Sequence, residues 1–313
     1  MATPTSSVDP SEEYRFNFST PAGSDRSVST WRPQARTNSI FCTSDHRSWS
    51  PPVEQNETKI NFYPPYRVPP TITCGLTGLD IDRETFIRIK AYADNIRRDS
   101  FYIHLDAWSG TTVYEASCTW LETTNDEPDF QVGTYKFAWK PYMDTSKQRY
   151  SEFIKFDYAF DKCPNVVIWL NQLDLDTGHI IRIKTYASDI TTTDFTIHID
   201  TWDDSIIYGA GVSWIAYPCD HPGIFSGNVC TTDYRDWHNP DSTNGGDVTF
   251  PKDFFHTVPK VLLAVNYLDF DHRYNLRFRA YADRVWQGGM KWHVNSWADT
   301  ICYNVGAAFL AFS

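Results

Sequence analysis

Apolar and polar residues alternate one by one through three long segments: "IRIKAYADNIRRDSFYIHLDAW" (87–108), "IRIKTYASDITTTDFTIHIDTW" (181–202) and "LRFRAYADRVWQGGMKWHVNSW" (276–297). Successive side chains of a β-strand point to opposite faces, so a period of two predicts strands with one dry and one wet face. In the second segment Ile181 and Ile183 face one way, and Arg182, Lys184 and Tyr186 the other. Further on, Phe195, Ile197 and Ile199 turn inward, leaving His198, Asp200 and Trp202 outward. The other two segments repeat this, with Arg88, Lys90, Tyr92, His104, Asp106 and Trp108, then Arg277, Arg279, Tyr281, His293, Asn295 and Trp297 on the wet face. Each unit reads as an antiparallel sheet, and two such sheets packed dry face to dry face make a β-sandwich. No segment carries a helical period, so the predicted class is all-β.

The spacing makes the chain a tandem triplication. Arg88, Arg182 and Arg277 lie 94 and 95 residues apart, each followed after 20 residues by Trp108, Trp202 or Trp297, then after six by Tyr114, Tyr208 or Tyr303. Twelve past each of those tryptophans stands another aromatic, Trp120, Trp214 or Phe309. Eight residues before each arginine is the first aspartate of "LDID", "LDLD" or "LDFD" (Asp80, Asp174, Asp269). A lone tryptophan lies upstream (Trp49, Trp139 or Trp237), followed by a variable polar loop. A unit of this length exceeds any solenoid repeat, so each copy is expected to be a small domain: 38–122, 130–217 and 223–313. Residues 1–37, rich in Ser, Thr and Pro, match no repeat and read as a flexible or strapped-on extension.

Composition narrows the function. A net charge of −11 argues against affinity for nucleic acid or an anionic membrane surface. No apolar run approaches the roughly 20 residues that span a bilayer, so membrane insertion is not expected. The start of the chain lacks a basic stretch followed by an apolar core, which makes cytoplasmic residence the default, with release by a non-classical route as the alternative. The seven cysteines show no CxxC pairing and read as reduced, buried thiols. The wet-face row carries the chemistry. An arginine offers a rigid fork of donors and an indole a flat apolar plate, which together suit a sugar with hydroxyls on one side and C–H bonds on the other.

These residues resemble the H-type lectin domain: the LD-x-D strand, the arginine eight residues on, the tryptophan after 20 and the tyrosine six later. The resemblance implies a six-stranded antiparallel β-sandwich that assembles as a trimer, here as three copies in one chain: a covalent pseudo-trimer. It also implies sites near the clefts between neighbouring units for terminal galactose or N-acetylgalactosamine, with no metal or other cofactor. Carried over by position, Arg88, Arg182 and Arg277 match the sugar-binding arginine, Trp108, Trp202 and Trp297 the stacking tryptophan, and Tyr114, Tyr208 and Tyr303 a tyrosine beside the site. The family's histidine after the stacking tryptophan is replaced by Ser109, Asp203 or Ala298. Its loop aspartate is matched by Asp144 and Asp241, and in the first copy by Glu54 or Glu57. The middle copy, with Asp144, Arg182, Trp202, Asp203 and Tyr208, has the fullest set.

Other readings stand beside this one. The arginines suit inter-repeat ion pairs and the tryptophans suit interfaces, so a structural or protein-interaction module with degenerate sugar sites is the alternative function. His104, His198 and His293 stand four residues before the tryptophans; meeting on a pseudo-threefold axis they would hold zinc or soften the interface below about pH 6.5, whereas packed singly they do neither. Catalysis is not expected. No repeated carboxylate pair suggests the roughly 5–9.5 Å separation of a glycosidase, and no GxSxG, HExxH or P-loop occurs. The expected partners are glycans, met by a monomeric pseudo-trimer or a dimer of pseudo-trimers.

Overall fold

The computed structural model describes residues 37–124, 130–138 and 148–313. The first repeat supplies β1 (Ile40–Cys42), β2 (Glu57–Asn61), β3 (Thr71–Ile81), β4 (Ile87–Asp94), β5 (Ser100–Ala107) and β6 (Val113–Thr123). The second supplies β7 (Gln131–Ala138), β8 (Arg149–Lys155), β9 (Asn165–Leu175), β10 (Ile181–Ser188), β11 (Asp194–Asp200) and β12 (Ile207–Tyr217). The third supplies β13 (Ile224–Cys230), β14 (Thr243–Thr249), β15 (Lys260–Phe270), β16 (Leu276–Trp286), β17 (Gly289–Asn295) and β18 (Cys302–Phe312). The alternation holds: β10 and β11 bury every second residue, with Ile181, Ile183, Phe195, Ile197 and Ile199 in the core.

The eighteen strands form three six-stranded antiparallel sheets, ordered β1-β6-β3-β16-β17-β14, β13-β18-β15-β10-β11-β8 and β2-β5-β4-β9-β12-β7. Each repeat divides its six strands into two halves of three, and each half continues by hydrogen bonds into a neighbouring repeat. The junctions are β4 with β9, β10 with β15, and β16 with β3, so the ring of three repeats closes on itself. This is the pseudo-trimer that the repeats imply.

A β-bulge makes the arrangement work. The long strands β3, β9 and β15 share one burial pattern, and each shifts register once in mid-strand, around Thr77, Asn171 and Asn266. A bulge bends its strand and re-aims the side chains beyond it. Beyond it, residues 78–81, 172–175 and 267–270 pair with the neighbouring repeat. Before it, the strands turn toward a shared axis, where Trp169, Leu262, Ala264, Leu310, Phe312, Leu121 and Tyr217 form a core distinct from that of the sandwiches. The later aromatics of each repeat, Trp120, Trp214 and Phe309, are buried in the sandwich core.

Candidate functional site

The junction strands place each repeated arginine opposite the first aspartate of the next repeat's LD-x-D. In register, Arg88 faces Asp174, Arg182 faces Asp269, and Arg277 faces Asp80. Arg88 Nε donates to Asp174 Oδ1 at 3.1 Å. The other two are ion pairs at 3.4 Å (Arg182–Asp269) and 3.2 Å (Arg277–Asp80). All three carboxyls rise above the ordinary aspartate range because burial penalises their charge, and the facing guanidinium holds each shift back. Asp269, the most enclosed, is pushed up to about 6. Asp80 Oδ1, Asp269 Oδ1 and Arg182 Nε are shut off from solvent, so these ion pairs supply their polar partners. The arginines therefore do make inter-repeat ion pairs, while Asp200 accepts from the Tyr186 hydroxyl at 3.0 Å.

The second aspartate of LD-x-D orients the tyrosine. The hydroxyls of Tyr114, Tyr208 and Tyr303 donate to Asp82, Asp176 and Asp271 of their own repeats at 2.7, 3.2 and 2.9 Å. Each tyrosine nevertheless sits on the strand that flanks the next junction. The Tyr208 ring lies 5.6 Å from Phe86, over which the Arg88 guanidinium rests at 4.5 Å. Tyr114 lines a groove with Trp297 and Asp80. Each seam thus combines the arginine and tryptophan of one repeat with the aspartates and tyrosine of the next. Grouping Arg182, Trp202 and Tyr208 as one site of the middle repeat is corrected accordingly: Tyr208 lies at the seam with Phe86 and Arg88, while Arg182 faces Asp269 and Trp202 meets Tyr267 of the third repeat.

The turn after each tryptophan differs between copies. Ser109, Asp203 and Ala298 all adopt a left-handed backbone, with φ of 56°, 58° and 57°. Asp203 bonds Arg182 at 3.2 Å, joined by Asp204 at 3.0 Å, so acids from both repeats surround this guanidinium. Arg277 pairs with Asp299 at 2.6 Å. In the first repeat Glu54 accepts from Gly110 N at 2.6 Å, two residues past Trp108, while Glu57 lies against His104 at 3.6 Å. Glu54 is therefore the counterpart at the turn. Asp241 is exposed and accepts from Thr243 N at 3.0 Å, and Ser242, next to it, accepts from Ser296 N at 2.8 Å, beside Trp297. Asp144 and Trp139 lie outside the described residues.

Trp108, Trp202 and Trp297 are all half-buried, and the surroundings of Trp202 and Trp297 include residues of the next repeat. Trp202 meets the Tyr267 ring edge-on at 5.4 Å. In the repeat alignment Tyr267 corresponds to Gln172 and Gly78. At the seam between the third and first repeats a groove of about 1050 Å³ opens, lined by Trp297, Tyr114, Asp80 and a further indole, Trp49. Trp49 is 64 % exposed and stands 5.9 Å from Tyr114; its counterpart Trp237 is 51 % exposed and 6.4 Å from Tyr303. The sequence marks both as repeated tryptophans but gives no sign that they flank the tyrosine, because the loop carrying them has no register with a strand.

The histidines do not converge. Each lies on the outer part of a different sheet and stacks on the tyrosine across the strand pair: His104 on Tyr92 at 4.4 Å, His198 on Tyr186 at 4.5 Å and His293 on Tyr281 at 4.8 Å. Among the described residues no cluster of His, Cys, Asp or Glu is arranged to hold a metal ion. The zinc and axial-switch readings therefore lose their geometry.

Comparison with known proteins agrees with this arrangement. The H-type lectin domain matches three times in tandem, over residues 57–121, 151–217 and 246–312. A curated relative from Fuscovulum blasticum, described as "ATP synthase subunits region ORF 7", is 28% identical over 75 residues, 23% of this chain and 65% of that protein. The chain thus spans just under two thirds of that relative's length. With three matching units, their strands shared in a closed ring and an arginine of each repeat paired with an aspartate of the next, this chain belongs to the H-type lectin domain family, a family of carbohydrate-binding domains.

Proposed function

We propose that the chain binds terminal galactose or N-acetylgalactosamine at the seams between repeats, with the indole as stacking plate and the Arg–Asp pair as hydrogen-bonding edge. The observation that carries this reading is the composite seam: one repeat supplies an arginine and a half-buried tryptophan, and the next supplies two aspartates and a tyrosine. A guanidinium and a carboxylate fixed side by side offer the donors and acceptors that adjacent sugar hydroxyls need, and the indole offers its face to the C–H side. Each contact is weak, in the micromolar-to-millimolar range, because a small hydrated ligand gives little net free energy; three seams in one chain supply avidity. Catalysis has no part in this reading.

The seam between the third and first repeats is the foremost candidate, because its groove is open beside Trp297. The interaction-module reading applies best to the seam between the second and third repeats, where Asp203, Asp204 and Asp269 engage Arg182 and Tyr267 meets Trp202. Calorimetric titration with N-acetylgalactosamine tests both. Trp297→Ala is expected to remove at least one binding equivalent with an unchanged melting temperature, and Trp202→Ala to remove less. Saturable binding that ignores both tryptophans would refute the composite-seam reading.

A further inference from the structure

The groove beside Trp297 is larger than one sugar needs. Its volume of about 1050 Å³ is at the top of the roughly 300–1,000 Å³ that small-molecule pockets span. Its lining is also of two kinds. Where β16 and β3 pair, over Leu276–Arg279, the walls are Trp297, Tyr114 and Asp80. Past that pairing β16 continues with Ala280 and Ala282 and no longer bonds β3, so the strands part; Ile40, Val261, Leu263 and the two alanines form an apolar wall there, beside the hydroxyls of Thr77, Ser117 and Thr119.

Charge does not account for the extra room. Arg279 is held by Glu115 of the first repeat. Arg47 is spent on Asn56 Oδ1 at 2.5 Å and on the carbonyl oxygens of Val113 and Tyr114 at 3.0 and 3.2 Å. Gly78, where the other seams carry Gln172 and Tyr267, is closely packed: a Cβ there would come within 2.7 Å of Ser117 Oγ and 2.9 Å of the Phe278 carbonyl oxygen.

We propose that this one seam takes a galactose-type glycoside bearing an apolar group, an alkyl or acyl substituent, with the sugar at Trp297 and the apolar group against Val261, Leu263 and Ala282. The proposal rests on the lectin reading above and adds to it a ligand class for one of the three seams. This seam of the ring is then suited to a glycolipid-like ligand.

The test compares methyl and octyl N-acetylgalactosaminide by calorimetry, with the octyl compound below its micellar concentration. The octyl glycoside is expected to bind one site per chain about tenfold more tightly than the methyl glycoside, since even partial burial of its chain outweighs that factor. Ile40→Glu, on an exposed position of an edge strand, and Ala282→Leu, which fills the apolar end, are expected to erase the advantage and leave the methyl glycoside unaffected. Should Ala282→Leu lower the melting temperature, Ile40→Glu carries the test alone. Equal affinity for the two glycosides, or an octyl advantage that survives in Ile40→Glu, overturns the proposal while leaving the lectin reading intact. Failure of the methyl glycoside to bind anywhere overturns both.

Discussion

The indole of Trp169 fills the space that Gly75 leaves on the axis of the ring. A Cβ on Gly75 would stand 2.9 Å from Trp169 Cβ and 2.5 Å from Ala264 Cβ, while the indole N–H donates to the Ala308 carbonyl at 3.0 Å. Gly75, Trp169 and Ala264 are the same position of the three repeats. One large, one small and one absent side chain thus occupy a site where three equal ones would collide, so the repeats are not interchangeable. In a trimer of separate chains the three positions would have to be alike; fusion removes that constraint.

Trp169→Ala should cost about 3–5 kcal/mol in chemical denaturation, the usual range for deleting a buried aromatic, and Gly75→Val should cost a comparable amount through overpacking. If Gly75→Val proves neutral, the axis is not packed as described.

Asp269 gives a pH signature with a definite sign. Its folded pKa of about 6 lies above the ordinary value of 3.8, so its protonated form favours the fold. That contribution is full below pH 4 and is lost as pH rises through 6. Relative to Asp269→Asn, the native chain should lose up to about 3 kcal/mol of stability between pH 4 and pH 7. Paired melts of the two proteins across that range measure the difference; a flat difference would show that Arg182 neutralises the buried charge completely.

Composite seams predict a particular non-additivity. Arg277→Leu and Tyr114→Phe lie in different repeats yet affect one seam, so the double variant should lose no more binding equivalents than the worse single one. Arg277→Leu with Tyr303→Phe affects two seams, and its losses should add. Equilibrium titration of the single and double variants with N-acetylgalactosamine gives the answer, and the opposite pattern would return each site to a single repeat.

Thiol reactivity should divide the cysteines. Cys163 and Cys219 are exposed, whereas Cys42, Cys74, Cys118, Cys230 and Cys302 are buried. Burial pushes the Cys74 and Cys302 thiols up to about 12, which keeps them protonated and unreactive. Cys163 should therefore react fastest with a disulfide reagent, Cys219 more slowly because partial burial pushes its thiol up as well, and the other five only on unfolding.

Much of the fold was legible because strand alternation is local. The parity that sets Ile181 and Ile183 against Arg182 is written in consecutive residues, and the threefold spacing supplies the ring. The seam was only half legible. Arg182 and Tyr208 lie in one repeat and look like partners, but the bulge at Asn171 passes the end of β9 to the first repeat, and a one-residue register shift leaves no mark in composition. LD-x-D was visible as a repeated motif. Its division of labour, with Asp174 turned to a neighbour's Arg88 and Asp176 to its own Tyr208, depends on sheet order. The contact of Tyr267 with Trp202 was hidden for the same reason, since it crosses between repeats and only the sheet order brings the two rings together.

The most direct measurement is a crystal structure of the chain soaked with N-acetylgalactosamine. The account predicts a sugar ring stacked on Trp297, with its hydroxyls bonded to Arg277 of the third repeat and to Asp80 or Tyr114 of the first. A sugar held by the residues of one repeat alone, or bound away from all three seams, would contradict it.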